Sequence, residues 1–290
     1  QMFPELFAKN KVKSIQNYPA DLRRSLAACA PAACTGPPTV AVLTPGVYNS
    51  AYYEHAFLAD QMGVELVEGH DLRVINGRVA MRTPRGYQPI DVLYRRIDDE
   101  FLDPLRFNPE SALGVPGIMD VYRAGGITIA NAPGTGIADD KAIYSYMPDI
   151  VEFYTGEKAI LKNVPTWRCS EADSLAYVLD NLHDLVVKEV HGSGGYGMLI
   201  GPTASKRDIE TFRRKLKARP SNYIAQPTLS LSTVPIFNKA GLTPRPYVQC
   251  SPQGINITPG GWTRVALKKG SLVVNSSQGG GTKDTWVLED

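Results

Sequence analysis

A lysine and a glycine-rich turn lie close together in Leu185–Gly201, LVVKEVHGSGGYGMLIG. Glycine-rich turns hold phosphates because a chain without Cβ atoms brings successive backbone N–H groups close to the phosphate oxygens. Alternation along the first apolar run puts Val186, Lys188 and Val190 on one face of a strand. Lys188 can then lie beneath the turn and meet a phosphate as a point charge. The segment predicts a nucleotide-binding hairpin, with a plain hairpin turn as the alternative.

The residues after the glycines decide what kind of phosphate site this is. P-loops and dinucleotide fingerprints both run from a strand into a helix. Here Gly192–Gly197 runs into Met198–Pro202, which is too short and too rich in proline and glycine to be a helix. We therefore expect a β-hairpin with the glycines at its tip. Protein kinases also carry a glycine hairpin and a strand lysine, but this chain has no His-Arg-Asp loop and no Asp-Phe-Gly motif.

Composition excludes several classes of function. The 290 residues are 43% hydrophobic and 21% charged, with a net charge of +2. These values are typical of a soluble globular protein of roughly two domains and give no reason to expect a nucleic-acid partner. Because no apolar run is as long as a membrane span, we expect no membrane partner and a cytoplasmic location. The four cysteines and four histidines are too scattered for a disulfide framework or a zinc site.

An α/β pattern precedes the hairpin. A strand at Thr39–Leu43, a helix capped by Asn49 and stopped by Gly63, and a strand at Val64–Glu68 form a β-α-β unit, which implies parallel strands. Asn76-Gly77 predicts a tight hairpin turn. Further predicted strands are Asp91–Tyr94, Ile127–Ala130, Tyr223–Gln226, Gly261–Leu267 and Ser271–Asn275. Further predicted helices are Pro116–Ala124, Asp139 to about Tyr154, Glu171–Leu182 and Lys206–Ala218.

A second group of polar side chains follows the predicted strands of the α/β region. Open α/β sheets bind ligands at the carboxyl ends of their strands, so we assign acceptor-substrate recognition to this group. A surface salt-bridge cluster is the alternative for its charged members. The group comprises Tyr48, Asn49, Ser50, Glu54, Arg95, Arg96 and Asp98.

With these pieces in order, the chain resembles the circularly permuted ATP-grasp family, whose relatives include glutathionylspermidine synthetase-like carboxylate–amine ligases. The resemblance runs from about residue 40 to the end. It is carried by Thr44–His55, Tyr94–Asp99, Gly136–Lys141, Lys188 with its glycine turn, Tyr223–Pro227 and Asn275–Asp284.

The resemblance implies a mixed α/β chain with a circularly permuted ATP-grasp fold of α+β lobes, and a Rossmann-like pre-ATP-grasp α/β domain before it. The expected divisions are an N-terminal helical segment and linker at 1–38, the pre-ATP-grasp-like domain at 39–135 and the ATP-grasp domain at 136–290.

The resemblance also implies roles for particular residues. Lys141 and Lys188 would contact the phosphates of ATP, Lys188 and Arg264 would act in phosphoryl transfer, and Asn275 would bind Mg²⁺. Gln226 would line the adenine pocket. The lid over the phosphates would comprise Gly192, Ser193, Gly194, Gly195, Tyr196 and Gly197.

The implied function is an ATP-dependent ligase that joins a small-molecule or peptide carboxylate to an amine through an acyl phosphate. The chain departs from the family pattern in two places. An Asp-x-Arg segment is absent where Pro244-Arg245 runs directly into Pro246, and Val273 stands where many ATP-grasp enzymes have a magnesium-binding glutamate. Because Mg²⁺ prefers carboxylate oxygens, a catalytically inactive nucleotide-binding regulatory protein on the same fold is the alternative.

Overall fold

The chain forms two compact units in a computed structural model. The model describes residues 4–192, 197–230, 233–234, 240–266 and 281–289, with backbone alone for 233–234 and 240–245. The first unit comprises residues 1–135, 246–261 and 285–290, and the second comprises residues 136–245 and 262–284. The first crossing between units, after Thr135, falls where the sequence places a domain boundary. The sequence did not predict that residues 246–261 and 285–290 belong to the first unit.

The helices and strands follow the chain in a mixed α/β order. The helices are α1 Pro4–Lys9, α2 Tyr18–Ala27, α3 Tyr52–Met62, α4 Asp99–Leu102, α5 Ile118–Arg123, α6 Lys141–Tyr144, α7 Met147–Thr155, α8 Ala172–Asp180 and α9 Lys206–Ala218. The strands are β1 Val40–Leu43, β2 Glu65–Val67, β3 Leu72–Ile75, β4 Arg78–Thr83, β5 Gly86–Pro89, β6 Val92–Arg95, β7 Thr128–Ala130, β8 Trp167–Arg168, β9 Leu185–Glu189, β10 Leu199–Ile200, β11 Tyr223–Pro227, β12 Thr233–Val234, β13 Ala240–Ser251, β14 Gly254–Val265 and β15 Gly281–Trp286.

The first unit is built on a parallel sheet with the strand order β2-β1-β6-β7. All four residues of β1 are buried, as expected for a strand covered on both faces. One face packs on α2 and α3 through Leu26, Ala59 and Met62, so α2 belongs to this unit's core. The other face packs on α5 and on the antiparallel sheet β3-β4-β5. This arrangement confirms the predicted β-α-β unit.

Two turn predictions in this unit have different outcomes. Asn76 and Gly77 have φ of 50° and 73°, which confirms the tight hairpin turn, and Gly63 ends α3 with φ of 63°. The prediction that Asn49 caps α3 is wrong, because Ala51 occupies the N-cap position. The Asn49 side chain instead accepts a hydrogen bond of 2.9 Å from the Ala51 N–H, which forms a turn of the kind that asparagine favours before a helix.

The second unit contains an antiparallel sheet with the strand order β10-β9-β11-β8. Helices α8 and α9 cover one face through a core that includes Val178, Leu216, Val187 and Tyr223. The predicted hairpin is present, because β9 and β10 pair antiparallel with Leu199 opposite Val187. The opposite face of this sheet receives α6 and the site described below.

The helix predicted from Asp139 to about Tyr154 is wrong as a single element. Helix α6 ends at Tyr144 and α7 begins at Met147. Pro148 explains the break, because a proline ring clashes with the carbonyl four residues earlier, here that of Tyr144, and has no N–H to donate. Asp140 starts α6 by accepting hydrogen bonds from the N–H groups of Ala142 and Ile143.

The C-terminal sheet has the order β12-β13-β14-β15. The predicted start of a strand at Gly261 is wrong, since β14 begins at Gly254 and passes through Pro259-Gly260-Gly261. Those three residues read as a break because proline and glycine are rare inside strands. The same bias hid β13, which contains Pro244 and Pro246. The predicted strand Ser271–Asn275 lies outside the described residues. Within the described part of the chain, no helix is long and apolar enough to span a membrane.

Candidate nucleotide-binding site

The register of the second unit's sheet gathers polar side chains on the face away from α8 and α9. Lys188 pairs with Ile224, and Gln226 pairs with Val186. Because directly opposed residues point to the same side of a sheet, Lys188 and Gln226 share a face. Leu185 and Val187 are buried on the other face. The predicted alternation, which puts Val186 and Lys188 on one face of the strand, is confirmed.

A chain of hydrogen bonds starts at the Lys188 amine. Lys188 Nζ donates to Gln226 Oε1 at 2.7 Å, and Gln226 Nε2 donates to Thr166 Oγ1 at 2.9 Å. The Thr166 hydroxyl in turn donates to the Val164 carbonyl at 2.9 Å. All three side chains are half-buried. Both ends of the Gln226 amide are therefore engaged within the protein.

The second lysine lies next to the first residues of the glycine turn. Lys141 Nζ donates to the carbonyls of Val190, at 3.4 Å, and Gly192. The Lys141 backbone N–H also bonds to the Val190 carbonyl, at 3.2 Å. Burial lowers the pKa of Lys188, and the nearby positive charge of Lys141 lowers it further. The structure thus brings together two predicted phosphate contacts that are 47 positions apart in the sequence.

The last residue of the glycine turn has a left-handed backbone and little room for a side chain. Gly197 has φ of +65°, and a Cβ there would lie 2.7 Å from Cδ of the Glu189 carboxylate. Glu189 also accepts a long hydrogen bond of 3.5 Å from the Tyr223 hydroxyl. Gly192, at the other end of the turn, would place a Cβ 3.1 Å from the Glu189 Cβ. Both ends of the turn therefore pass close to one side chain at the end of β9.

Helix α6 holds the segment that carries Thr166 and leads into β8. The Tyr144 hydroxyl accepts from the Val164 N–H at 2.8 Å, and Asn163 Nδ2 donates to the Tyr144 carbonyl at 2.8 Å. Arg168, on β8, donates to the Ser145 hydroxyl at 2.8 Å. The guanidinium of Arg168 also lies 4.1 Å from the centre of the Tyr146 ring. The element that supplies Lys141 is thus fixed to the strand that supports Gln226.

The predicted substrate residues lie in the first unit, after β1 and β6. Arg95 differs from the others because its side chain is only 7% exposed. Its guanidinium donates to the Ile97 carbonyl at 2.7 Å and to the Asn131 and Ala132 carbonyls, and it pairs with Asp99. Arg95 is therefore engaged in holding the loop after β7.

The remaining members of that group are exposed and close to a buried polar pair. Tyr48, Asn49, Ser50, Glu54, Arg96 and Asp98 all face solvent. Beneath them, Thr44 Oγ1 and His55 Nδ1 are 3.0 Å apart. Burial lowers the pKa of His55, and Arg96 lowers it further against the opposing effect of Glu54.

The predicted substrate residues lie near a topological switch point of the parallel sheet. In the order β2-β1-β6-β7, the chain leaves β1 for one neighbouring strand and later returns to the other.

The other predicted residues are less constrained by the structure. Arg264 lies on β14 with its guanidinium 4.8 Å from the centre of the Trp262 ring, and its catalytic role stays a prediction. Ser193, Gly194, Gly195, Tyr196 and Asn275 lie outside the described residues. Within the described ranges, no three His, Cys, Asp or Glu side chains form a group that could hold a metal ion. The described donors thus suit phosphate oxygens rather than Mg²⁺, whose predicted ligand stays Asn275.

Sequence reasoning missed Thr166 and Glu189. Extending the β8–β11 register, in which Ala225 pairs with Trp167, brings Thr166 opposite Gln226. No motif marks Thr166, because its role depends on which strand lies next to β11. Glu189 directly follows Lys188, and alternation alone would have put it on the opposite face at the base of the turn.

Comparison with known proteins finds several relatives of this chain. A Synechocystis sp. protein that is named as uncharacterized is 52% identical over 99% of this chain and 60% of its own length. A Mycobacterium tuberculosis protein, also uncharacterized, is 50% identical over 99% of this chain and 53% of its own. A Frankia alni protein with the provisional name glutamate–cysteine ligase 2-3 is 43% identical over 99% of this chain and 34% of its own. The chain thus spans about a third to three-fifths of these relatives.

A solved structure has a similar fold. D-alanyl-alanine synthetase A of Vibrio cholerae aligns over 87% of this chain and 75% of its own, with a TM-score of 0.50 and 10% identity. The family model for circularly permuted ATP-grasp type 2 proteins matches residues 1–266. The chain therefore belongs to the circularly permuted ATP-grasp type 2 family.

Proposed function

We propose that this chain binds ATP in its second unit and acts as an ATP-dependent carboxylate–amine ligase that forms an amide or peptide bond. One observation carries the proposal. The Lys141 amine bonds the Gly192 carbonyl at the start of the glycine turn, and it lies close enough to Lys188, on the strand before that turn, for its charge to lower the pKa of Lys188. Two neighbouring ammonium groups repel each other, so a polyanion bound between them is favourable. The terminal phosphates of ATP are such a polyanion, and ATP supplies the phosphoryl group when bound.

The proposed reaction has two steps. A carboxylate oxygen of the first substrate attacks the γ-phosphorus, the bond from that phosphorus to the β,γ-bridging oxygen breaks, and ADP leaves. The amine nitrogen of the second substrate then attacks the acyl carbon, inorganic phosphate leaves, and the nitrogen loses a proton. Lys188 and Lys141 neutralise the phosphate charge, which is the main requirement of phosphoryl transfer. A lid formed by Gly192–Gly197 would keep water from the acyl phosphate. We also assign Arg264 to the transferred phosphate.

The substrate class follows from exposed charges in the first unit. Arg96 suits a carboxylate, and Glu54 and Asp98 suit an amine or polyamine. A glutathionylspermidine synthetase-like pair of substrates, a peptide carboxylate and a polyamine, fits this combination and stays our finer prediction. The Frankia relative's name suggests amino-acid substrates, but this chain covers only 34% of that protein. The ligase proposal therefore rests on the lysine pair.

A thermal-shift titration tests nucleotide binding directly. A ligand that binds only the folded state raises the melting temperature by mass action. We expect a concentration-dependent rise with ATP and with a non-hydrolysable analogue, larger when Mg²⁺ is present. ADP release in mixtures of carboxylates and amines then tests catalysis. No rise at saturating nucleotide overturns the proposal.

The alternative is a nucleotide-binding regulatory protein without catalytic activity. Its specific support is the sequence, which lacks the acidic segment after Arg245 and has Val273 in place of a glutamate. A rise in melting temperature that does not depend on Mg²⁺, together with no ADP release, favours this alternative over the ligase.

A further inference from the structure

We propose that Thr166 is a positioning residue that holds the Gln226 amide in the one orientation that serves Lys188. A protonated lysine amine can only donate hydrogen bonds. The atom of Gln226 that lies 2.7 Å from Lys188 Nζ must therefore be its oxygen. The opposite orientation would point an NH₂ group at an ammonium group.

Thr166 selects that orientation through its backbone partner. Its hydroxyl hydrogen is used in the 2.9 Å bond to the Val164 carbonyl. Its oxygen is then free to accept from Gln226 Nε2 at 2.9 Å. Val164 is itself fixed, since its N–H donates to the Tyr144 hydroxyl of α6. Every proton in the series from Val164 to Lys188 thus has one consistent position.

The consequence concerns the charge of Lys188. Burial and Lys141 both favour its neutral form, and the hydrogen bond to Gln226 opposes them by favouring the charged form. The proposed function requires a charged Lys188 at neutral pH. Thr166 therefore preserves the phosphate-binding charge of Lys188 without touching the nucleotide. This inference rests on the proposed function only for the reason why Lys188 must be charged. The charge of Lys188 itself can be measured in the ligand-free protein.

The test is the pH profile of Lys188 acylation by acetic anhydride, followed by peptide mass spectrometry. Thr166→Val keeps the side-chain shape but removes the hydroxyl, so Gln226 can turn its NH₂ group towards Lys188. We expect the acylation midpoint to fall by about one pH unit, the scale of a lost hydrogen bond to a charged group. Thr166→Ser should retain the wild-type midpoint. Thr211→Val is the matched control, because it removes a hydroxyl that bonds a backbone carbonyl elsewhere in this unit.

A second variant separates orientation from general damage to the fold. Gln226→Glu has an acceptor at both ends, so its orientation no longer depends on Thr166. Adding Thr166→Val to Gln226→Glu should therefore leave the midpoint of that variant unchanged. An equal fall in both backgrounds, or an unchanged midpoint in Thr166→Val alone, overturns the inference. An ATP titration that fails while these shifts appear overturns the proposed function and leaves the role of Thr166 standing.

Discussion

Lys188 and Gln226 form a hydrogen bond of 2.7 Å between antiparallel strands although they are diagonal neighbours rather than directly opposed. The directly opposed partners are Ile224 and Val186. Diagonal Cα atoms are about 7–8 Å apart, a separation that long side chains can span. The amide oxygen of Gln226 thus holds the Lys188 amine along the open face of the sheet on the Val186 side, away from the strand end where the glycine turn begins.

Loss of the Lys188 charge should weaken nucleotide binding. Lys188→Met keeps most of the aliphatic stem and removes the amine, so it isolates the charge from the packing. We expect ATP to bind about tenfold or more weakly, because a hydrogen bond to a charged group contributes roughly 1.5–3 kcal/mol. Isothermal calorimetry measures the change. Lys217→Met, at an exposed position of α9, is the control. An ATP affinity equal to that of the wild type would remove the central residue of the proposal.

The charge of Lys141 should control the pKa of Lys188. In Lys141→Met we expect the pH midpoint of Lys188 acylation to rise, because a neighbouring positive charge no longer opposes protonation. Lys141→Arg keeps the charge and should leave the midpoint where it is. A midpoint that moves equally in both variants would show that the effect comes from geometry and not from charge.

The same shift has a consequence for stability. A lysine whose pKa is lower in the folded state binds more protons when unfolded, so the free energy of unfolding rises with pH from the folded pKa up to about 10.4. Lys141→Met should make that rise smaller. Urea unfolding across the alkaline range measures it, with Lys141→Arg again as the comparison.

Gly197→Ala should distort the base of the glycine turn. A left-handed backbone conformation costs a residue with a Cβ roughly 1–2 kcal/mol, and here the Cβ would also meet the Glu189 carboxylate. We expect weaker ATP binding and lower stability, measured by calorimetry and urea unfolding. Gly36→Ala is the control, because nothing lies within 4 Å of a Cβ there. Adding Glu189→Ala should recover the steric part of the loss and leave the backbone part. No recovery would show that Glu189 is not the obstacle.

Arg95 should contribute strongly to the free energy of unfolding, whereas Arg96 should contribute little. Arg95→Met leaves Asp99 and the carbonyls of Asn131 and Ala132 without their donor. We expect it to destabilise the protein by about 2–4 kcal/mol. Arg96→Met should change the free energy of unfolding by less than about 0.5 kcal/mol, because its side chain is exposed. If ADP release is established, Arg96→Met should raise the KM for the acceptor substrate. Equal losses of stability in both variants would contradict this division.

Buried His55 should make the protein less stable in mild acid. Its folded pKa is lowered, so the unfolded chain binds the extra proton first. The contribution of His55 to stability is therefore lost as the pH falls from about 6.5 through its lower folded pKa. Below that pKa this contribution no longer changes with pH. His55→Gln has no ionisable group and should not show this loss in urea unfolding. His183→Gln replaces an exposed histidine and should follow the wild-type profile. An unchanged acid loss in His55→Gln would assign it to other groups.

The sequence by itself determined the features that depend on local pattern. A short apolar run with a lysine before a glycine-rich turn identified β9, and Asn76-Gly77 identified the hairpin turn because both positions need a positive φ. Apolar runs separated by a helix that stops at Gly63 identified the parallel β-α-β unit. Lys188 and the glycine turn could be linked because they are adjacent in the chain. Pro148, by contrast, breaks the helix predicted from Asp139 to about Tyr154, because its ring clashes with the Tyr144 carbonyl four residues earlier.

Only the tertiary structure decided which distant side chains meet. Thr166, Lys188 and Gln226 are joined because β11 lies between β8 and β9, and strand order is a property of the whole sheet. The adjacent residues Arg95 and Arg96 look alike in the sequence, but Arg95, at the end of β6, is buried and bonds the loop after β7, whereas Arg96 is exposed. Strands β13 and β14 contain prolines and glycines that disfavour a strand locally, and pairing with neighbouring strands overrides that preference. Long-range pairing, which no local pattern encodes, therefore set the geometry around Lys188.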